Sequence, residues 1–281
     1  MLAPTSVVHV PDGIDVDAAL ARTTDLGIAA HPDDLELDLL PGVVHCVDDP
    51  DRWFTGVVCT DGAGSVRVGP SVEMTDDELV AERWAEQCRA ADLGRYGAVV
   101  GLGHASAHVR GDGHDELVDQ LVDLLLATRP MHVFTHNLAD KHQTHLAVAA
   151  AAVQAVRRLD PADRPYRLVG CEGWRDLDWL PDGEKVLLDV SGFEDLADEL
   201  AVVFASQIEG AKRYDLAAAG RRRANATMQE PRALDRATQV VVAMDLSPLV
   251  HNPDIDPVRF VLAAVDRFRA EVERDLGRWL R

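Results

Sequence analysis

No stretch of 18 consecutive apolar residues occurs in the chain, which argues against a membrane-spanning helix. No positively charged segment followed by an apolar run opens it, so no secretory leader is read there. A cytoplasmic protein is the expectation. Positive charge is scarce: 28 Lys and Arg stand against 48 Asp and Glu, a net charge of −20. Nucleic acid and anionic membrane surfaces call for clustered Lys and Arg, so neither is expected as a partner. The acidity suits a neutral or cationic small substrate, although solubility alone accounts for it. The four cysteines, Cys46, Cys59, Cys88 and Cys171, form no C-x-x-C pair and no disulfide-framework spacing. Three lie in apolar or amphipathic stretches and read as buried free thiols. Repeats, low-complexity tracts and clear linkers are missing as well. What remains is 281 residues, 47% hydrophobic, enough for one large α/β domain.

Residues 1–24 read as an N-terminal arm with a strand-like piece, Ser6–Val10, and a turn at Pro11-Asp12-Gly13. His9 alternates with valines there and reads as structural. From residue 25 onward short apolar runs alternate with helical patterns. Strands are expected over 25–30, 53–60, 98–102 and 131–135, with shorter ones near 166–171 and 185–190. Gly42–Cys46 reads as a weaker strand. Helices are expected over 75–93, 115–127, 142–159, 193–219 and 256–280. Thr75 is the N-cap of the first, and Glu78 completes a capping box. A looser stretch to about residue 250 holds Asn225-Ala226-Thr227 and the apolar run Val240–Met244. This alternation predicts βαβ units and a mostly parallel sheet. Residues 25–281 are read as one domain whose last part, from about 220, is a C-terminal extension.

Two polar clusters interrupt the pattern. His31-Pro32-Asp33-Asp34-Leu35-Glu36 follows the strand at 25–30, and Asp140-Lys141-His142-Gln143-Thr144-His145 follows the strand at 131–135. Each also reads simply as a polar helix start, with Asp33 and Asp34 favouring the N-terminal dipole. In open α/β sheets, however, ligands bind outside the C-terminal ends of the strands, so both clusters fall on one rim. His31, Asp34 and His145 then form a two-histidine, one-carboxylate set, a catalytic zinc shell with an open position for water. Asp33 is expected as general base. His142, three residues before His145 and on the same side of the helix start, would stabilise an oxyanion or protonate a leaving amine. Asp140 would hold the His142 ring in one tautomer.

The paired motifs His31-Pro32-Asp33-Asp34-x-Glu36 and Asp140-x-His142-x-x-His145 resemble the PIG-L/LmbE-like family. The resemblance runs from about residue 25 to about 215. It takes in Thr60-Asp61-Gly62, Arg83-x-x-Glu86, Glu172-x-Trp174 and Ser206-Gln207. It implies an LmbE-like, Rossmann-like fold with helices on both faces, zinc on His31, Asp34 and His145, Asp33 as base and His142 as transition-state partner. It further implies substrate contact by Arg83, a supporting role for Glu36, and homo-oligomers. Members are zinc-dependent deacetylases of N-acetylglucosamine-type sugars and related amidases. There are departures. His142-Gln143-Thr144-His145 lacks the aspartate of the common His-Pro-Asp-His, Leu39-Leu40-Pro41-Gly42 replaces a Gly-Gly pair, and His104, Ala105 and Ser106 stand where some sugar deacetylases carry an aspartate.

The expected function is zinc-dependent removal of an N-acyl group, N-acetyl foremost, from an amino sugar or its conjugate. The alternatives are an amidase on another N-acyl small-molecule conjugate and a non-catalytic metal-binding protein. Another divalent transition metal could replace zinc. An iron facial triad usually sits in an all-β barrel, and a two-metal phosphoesterase would want more carboxylates or positive charge. Gly101-Leu102-Gly103-His104-Ala105-Ser106 lacks the third glycine of a dinucleotide fingerprint and is not followed by a helical pattern. His104 and His108 read as rim histidines, His132 as structural, His136 as a rim residue near substrate, Arg221-Arg222-Arg223 as a solvated run, and Trp174 and Trp179 as core.

Overall fold

The first cluster sits where it does because of strand order. In the computed structural model, which describes residues 6–67, 69–209 and 212–280, the strands are β1 (Val7–His9), β2 (Asp25–Ala29), β3 (Phe54–Thr60), β4 (Ala98–His104), β5 (His132–His136), β6 (Arg167–Cys171), β7 (Lys185–Asp189) and β8 (Val240–Asp245). They form one sheet in the order β1-β4-β3-β2-β5-β6-β8-β7. The central pairs β4-β3, β3-β2, β2-β5 and β5-β6 are parallel. β1 adds antiparallel to β4, and β8 lies antiparallel between β6 and β7. Every residue of β2 and β3 is buried, as apolar strands covered on both faces must be. The order reverses between β2 and β5, which leaves a crevice at their C-terminal ends.

The helices are α1 (Val16–Ala21), α2 (Asp34–Leu37), α3 (Leu40–Val47), α4 (Asp76–Leu93), α5 (Ser106–Val109), α6 (His114–Thr128), α7 (Gln143–Arg158), α8 (Glu194–Val202), α9 (Ala205–Ile208), α10 (Tyr214–Met228), α11 (Ser247–His251) and α12 (Pro257–Trp279). Leu20, Leu121, Val153, Leu249 and Ala264 bring α1, α6, α7, α11 and α12 to one face of the sheet. Val43, Ala90 and Leu200 bring α3, α4 and α8 to the other. The mostly parallel α/β sheet with both faces covered is therefore as expected. The capping box is also present: Thr75 Oγ1 accepts from the Glu78 N–H, and Glu78 accepts from the Thr75 N–H. No helix among the described residues is long and apolar enough to cross a membrane.

Four local expectations need correction. Gly42–Cys46 is not a strand: it lies in α3, which Pro41 starts with a preset φ. Within the arm, Asp15 caps a helix, α1, that the short pattern concealed. A single helical turn, α5, follows Gly101-Leu102-Gly103, where the sequence shows no helical pattern. The helix expected over 193–219 is three helices. Phe204 turns non-helical (φ −88°, ψ 54°) and buries its ring, 1% exposed, which breaks α8 from α9.

At the opposite end of the sheet from the crevice, buried Asp25 joins β2 to its neighbours. It accepts from His45 Nδ1 of α3 at 2.6 Å, from His132 Nδ1 of β5 at 3.1 Å and from Thr24 Oγ1 at 2.7 Å. Burial pushes its pKa up, but the hydrogen bonds from His132, His45 and Thr24 outweigh burial and hold it well below the carboxylate range. A carboxyl depressed on folding stabilises fully above its unfolded pKa, about 4, and loses that contribution as pH falls through the folded value. Asp25→Asn is accordingly expected to cost about 1–3 kcal/mol at pH 7, with a smaller gap to wild type at pH 3. Urea unfolding at both values measures this, and a gap independent of pH would show that the charge is immaterial.

Candidate functional site

β2 ends at Ala29, and the chain turns through His31-Pro32-Asp33 into α2. Thr60 Oγ1 at the end of β3 donates to the Ala30 carbonyl at 2.8 Å and fixes the start of this turn. Asp33 takes φ 95° and ψ −29°, a left-handed conformation that costs an L-residue free energy. The turn separates two adjacent carboxylates. Asp33 meets Arg83 of α4, whereas Asp34 meets the histidines.

Asp34 Oδ2 is the point of convergence. It lies 3.1 Å from His31 Nδ1, 3.3 Å from His145 Nε2 and 3.5 Å from His136 Nε2. The His142 ring is 4.9 Å from that of His31 and 4.5 Å from that of His145. His145 Nδ1 bonds Asp140 Oδ2 at 3.2 Å. If Nδ1 carries the proton there, Nε2 turns its lone pair toward Asp34. Two electron-rich atoms so placed repel unless a cation lies between them. A proton can take that place. Burial lowers the His145 pKa, but Asp34 and Asp140 raise it well above the ordinary value, while Asp34 is held well below its own by His145 and His31 against its burial. Among the described residues His145 Nε2 is buried without a hydrogen-bond partner. This orphaned nitrogen, with His31 and Asp34 in reach, fits a divalent transition metal. The group His31, His142, His145 and the group Asp34, His136, His145 each bring their donor atoms within 4.8 Å of one another. Asp25 with His45 and His132, and His104 with His108 and Glu116, form two further such groups away from this one.

Beside these residues, Asp33 is 7% exposed. Burial pushes its carboxyl up to about 7, against the pull of Arg83 and with the push of Asp34. Its N–H donates to Gln87 Oε1 at 3.3 Å, and Gln87 Nε2 donates to Glu36 Oε1 at 2.7 Å. Tyr96 OH donates to the same oxygen at 2.7 Å. Burial first of all pushes Glu36 up to about 8, so it adds no charge beside Asp33 near neutrality. Glu36 thus acts from beneath, through Gln87, on the backbone of the turn.

The structure brings His31, Asp33, Asp34, His142, His145, Asp140 and Glu36 together and changes four assignments. Asp140 does not hold the His142 ring; it holds the ring of His145 and accepts the His142 backbone N–H at 3.1 Å. Arg83, expected on the substrate, is 2% exposed. Its Nη2 donates to the Pro32 carbonyl at 2.5 Å and to Asp33 Oδ2 at 3.2 Å, and its Nη1 to the Gly62 carbonyl and Ser65 Oγ. It positions the turn from behind. His136, expected at the rim, is fully buried: its Nε2 accepts the Ala30 N–H at 2.9 Å and its ring stacks on His145 at 3.8 Å. Trp174, read as core, is 37% exposed and lies 6.0 Å from His142 at an interplanar angle of 26°.

Asp38 was missed. Its Oδ2 lies 3.5 Å from His136 Nδ1, and burial, then Asp34 and Asp140, raise its pKa well above the usual range. The i, i+4 spacing from Asp34 was the available signal. Glu86 and Ser206 meet across 120 residues, through the Ser206 N–H at 2.8 Å and Oγ at 2.6 Å.

Residues 26–156 match the model of the PIG-L family, described as GlcNAc-PI de-N-acetylase. No curated protein matches the chain at a significant level. Among the solved structures similar to it are the following three. The 4-carboxy-2-hydroxymuconate hydratase of Pseudomonas putida is 16% identical, over 80% of this chain and 96% of that one, at a TM-score of 0.62. A conserved protein of Thermus thermophilus is 22% identical, over 83% and 99%, at 0.60. The N,N'-diacetylchitobiose deacetylase of Pyrococcus horikoshii is 17% identical, over 78% and 83%, at 0.56. These likenesses show the fold. A hydratase and a deacetylase share it, so the reaction must be argued from the site.

Proposed function

With residues 26–156 forming a PIG-L domain, we propose that the chain is a zinc-dependent hydrolase that removes an N-acyl group, N-acetyl foremost, from an amino sugar or its conjugate. The observation that carries this is the buried convergence of His31, Asp34 and His145 around an unpartnered His145 Nε2, with a carboxylate of raised pKa alongside. His31, Asp34 and His145 would hold the ion, and Asp140 would orient the His145 ring. A zinc ion there would supply Lewis acidity to an amide carbonyl and to a water molecule.

The remaining chemistry belongs to the chain. Asp33, poised near neutral pH, takes a proton from the attacking water as the carbon–oxygen bond forms. Arg83 fixes one carboxylate oxygen of Asp33. His142 is pushed down to about 4 by its burial and by the charge of His145 and His31. It is therefore neutral, and its ring N–H donates to the oxyanion of the tetrahedral intermediate. Asp33 then returns its proton to the amine nitrogen as the carbon–nitrogen bond breaks, releasing amine and carboxylate.

Metal content by mass spectrometry and amine release from N-acetylglucosamine and a set of N-acyl conjugates test this. About one zinc per chain is expected, with amine release abolished by a chelator and restored by added zinc. Iron with oxygen consumption, or amine release indifferent to chelation, overturns the reading. Bound zinc without turnover of any N-acyl compound favours a non-catalytic metal-binding role.

A further inference from the structure

The last helix, α12, leaves the body of the protein. Phe260, Val261 and Ala264 of its first two turns pack on the core. From Val265 to Leu276 every residue is exposed. Arg267, 2.7 Å from Glu184, ties this part to the body. A helical tail of this length is marginal in water unless an apolar face packs against something. That face is present. Val258, Leu262, Val265, Val272, Leu276 and Trp279 are all exposed, Trp279 at 79%. Together with Arg269 they follow one another at steps of four and three, without a break, from 258 to 279. This is a heptad seam, the spacing at which two helices wind around each other, and only Arg269 interrupts its apolar character.

A single helix cannot bury such a seam on itself. The six side chains together expose several hundred Å², on the scale of the roughly 800 Å² per partner that a specific interface buries. Charge says which partner fits. Within α12 five arginines stand against four carboxylates, whereas the chain as a whole carries −20. Two such helices therefore meet without the repulsion that the rest of the surface would impose. If a second copy lies antiparallel, with Leu262 against its Val272, Val258 meets Leu276 and Val265 meets Arg269. The same register sets Arg259 beside Glu273 and Arg269 beside Asp266 of the other copy, each pair twice by symmetry. Within one chain Arg259 and Glu273 are about 21 Å apart along the helix, and Arg269 lies 3.8 Å from Asp266. A parallel pair would instead set Arg269 against its own mate in the seam. It would also bring both protein bodies to the same end, since each body holds the N-terminal half of its helix.

We propose that α12 is a dimerisation helix: two copies of this chain associate through an antiparallel pair of these helices. Arg269 sets direction and register, as one charged residue in an otherwise apolar seam does at some loss of stability. The pairing buries the apolar stripe that the protomer leaves in water, and it gives the C-terminal half of α12 the packing that its own body does not supply. The proposal is independent of the amide-hydrolase reading.

Sedimentation equilibrium of the full chain over a range of concentrations tests this. Wild type is expected at twice the 30.6 kDa of one chain. Leu276→Glu puts a charge into the seam at a position exposed in the protomer. It should weaken association by about 30-fold or more, with the circular dichroism and melting of the body retained. Arg259→Glu and Glu273→Arg each place two like-charge pairs in the dimer and should each weaken it by about 5- to 30-fold. The double charge swap should restore the wild-type constant. That rescue requires antiparallel helices, because the two positions are too far apart within one chain to compensate. A monomer at every concentration, or a dimer indifferent to Leu276→Glu, overturns the proposal. Dissociation by Leu276→Glu without rescue by the charge swap overturns it too, since the antiparallel register is then wrong. Amine release is a separate readout: a wild-type monomer that hydrolyses sinks this inference alone, and a dimer of the expected behaviour without turnover leaves it standing while the hydrolase reading fails.

Discussion

Asp33→Asn is expected to lower kcat for amide hydrolysis by about 10²- to 10⁴-fold, with metal content and fold retained. Asparagine is isosteric with aspartate and is among the residues that enter left-handed backbone most readily, so the φ of 95° is tolerated. The Gln87 contact uses the backbone N–H and survives. Asp33 meets Arg83 rather than the histidine cluster, so the proposed metal set of His31, Asp34 and His145 is left intact. Removing the carboxylate relieves its repulsion with Asp34 but leaves buried Arg83 without its counter-charge, and the two effects oppose each other, so only a small change in stability is expected. Turnover, metal per chain and the urea midpoint form the measurement. Turnover within a few-fold of wild type would eliminate Asp33 as base, and loss of metal would make it a ligand instead.

Arg83→Met carries the largest expected loss of stability, about 3–5 kcal/mol. The guanidinium is 2% exposed and serves the Pro32 and Gly62 carbonyls, Ser65 and Asp33 at once. Gly62 shows how close the approach is. Its φ is +73°, and a Cβ there would fall 2.5 Å from Arg83 Nη1. Methionine fills much of the volume but leaves the Asp33 carboxylate buried without its cation. Lysine keeps the charge and loses the planar fork, so Arg83→Lys should fall between. Denaturant unfolding of Arg83→Met, Asp33→Asn and the double variant measures the coupling. The double variant should be more stable than the sum of the two single changes predicts, by about 0.5–3 kcal/mol. Strict additivity would mean that the ion pair is not what Arg83 contributes.

What could be read from the chain was local. β2 and β5 are apolar runs, each broken by polar residues, and Thr75 with Glu78 is a helix start written in four residues. His31, Asp33, Asp34, His142 and His145 could be singled out because each group follows soon after a strand end, and chain direction in a parallel sheet places such ends on one rim. Side-chain spacing along a helix also carries Asp38, i+4 from Asp34.

Only the tertiary structure decided which polar group meets which. Arg83 looks like any helix charge until α4 packs 50 residues away from Asp33. Asp140 lies two residues before His142 and five before His145, and the rotation of the first turn of α7 selects the second ring. His136 closes β5 as though on the rim, yet the stacking of His145 buries it. β8 is an apolar run with no local sign that it will lie between β6 and β7. Periodicity along the chain reports which face of an element is apolar, whereas the partner of a buried charge is set by elements arriving from elsewhere, where burial makes an unpaired charge costly and so leaves few arrangements.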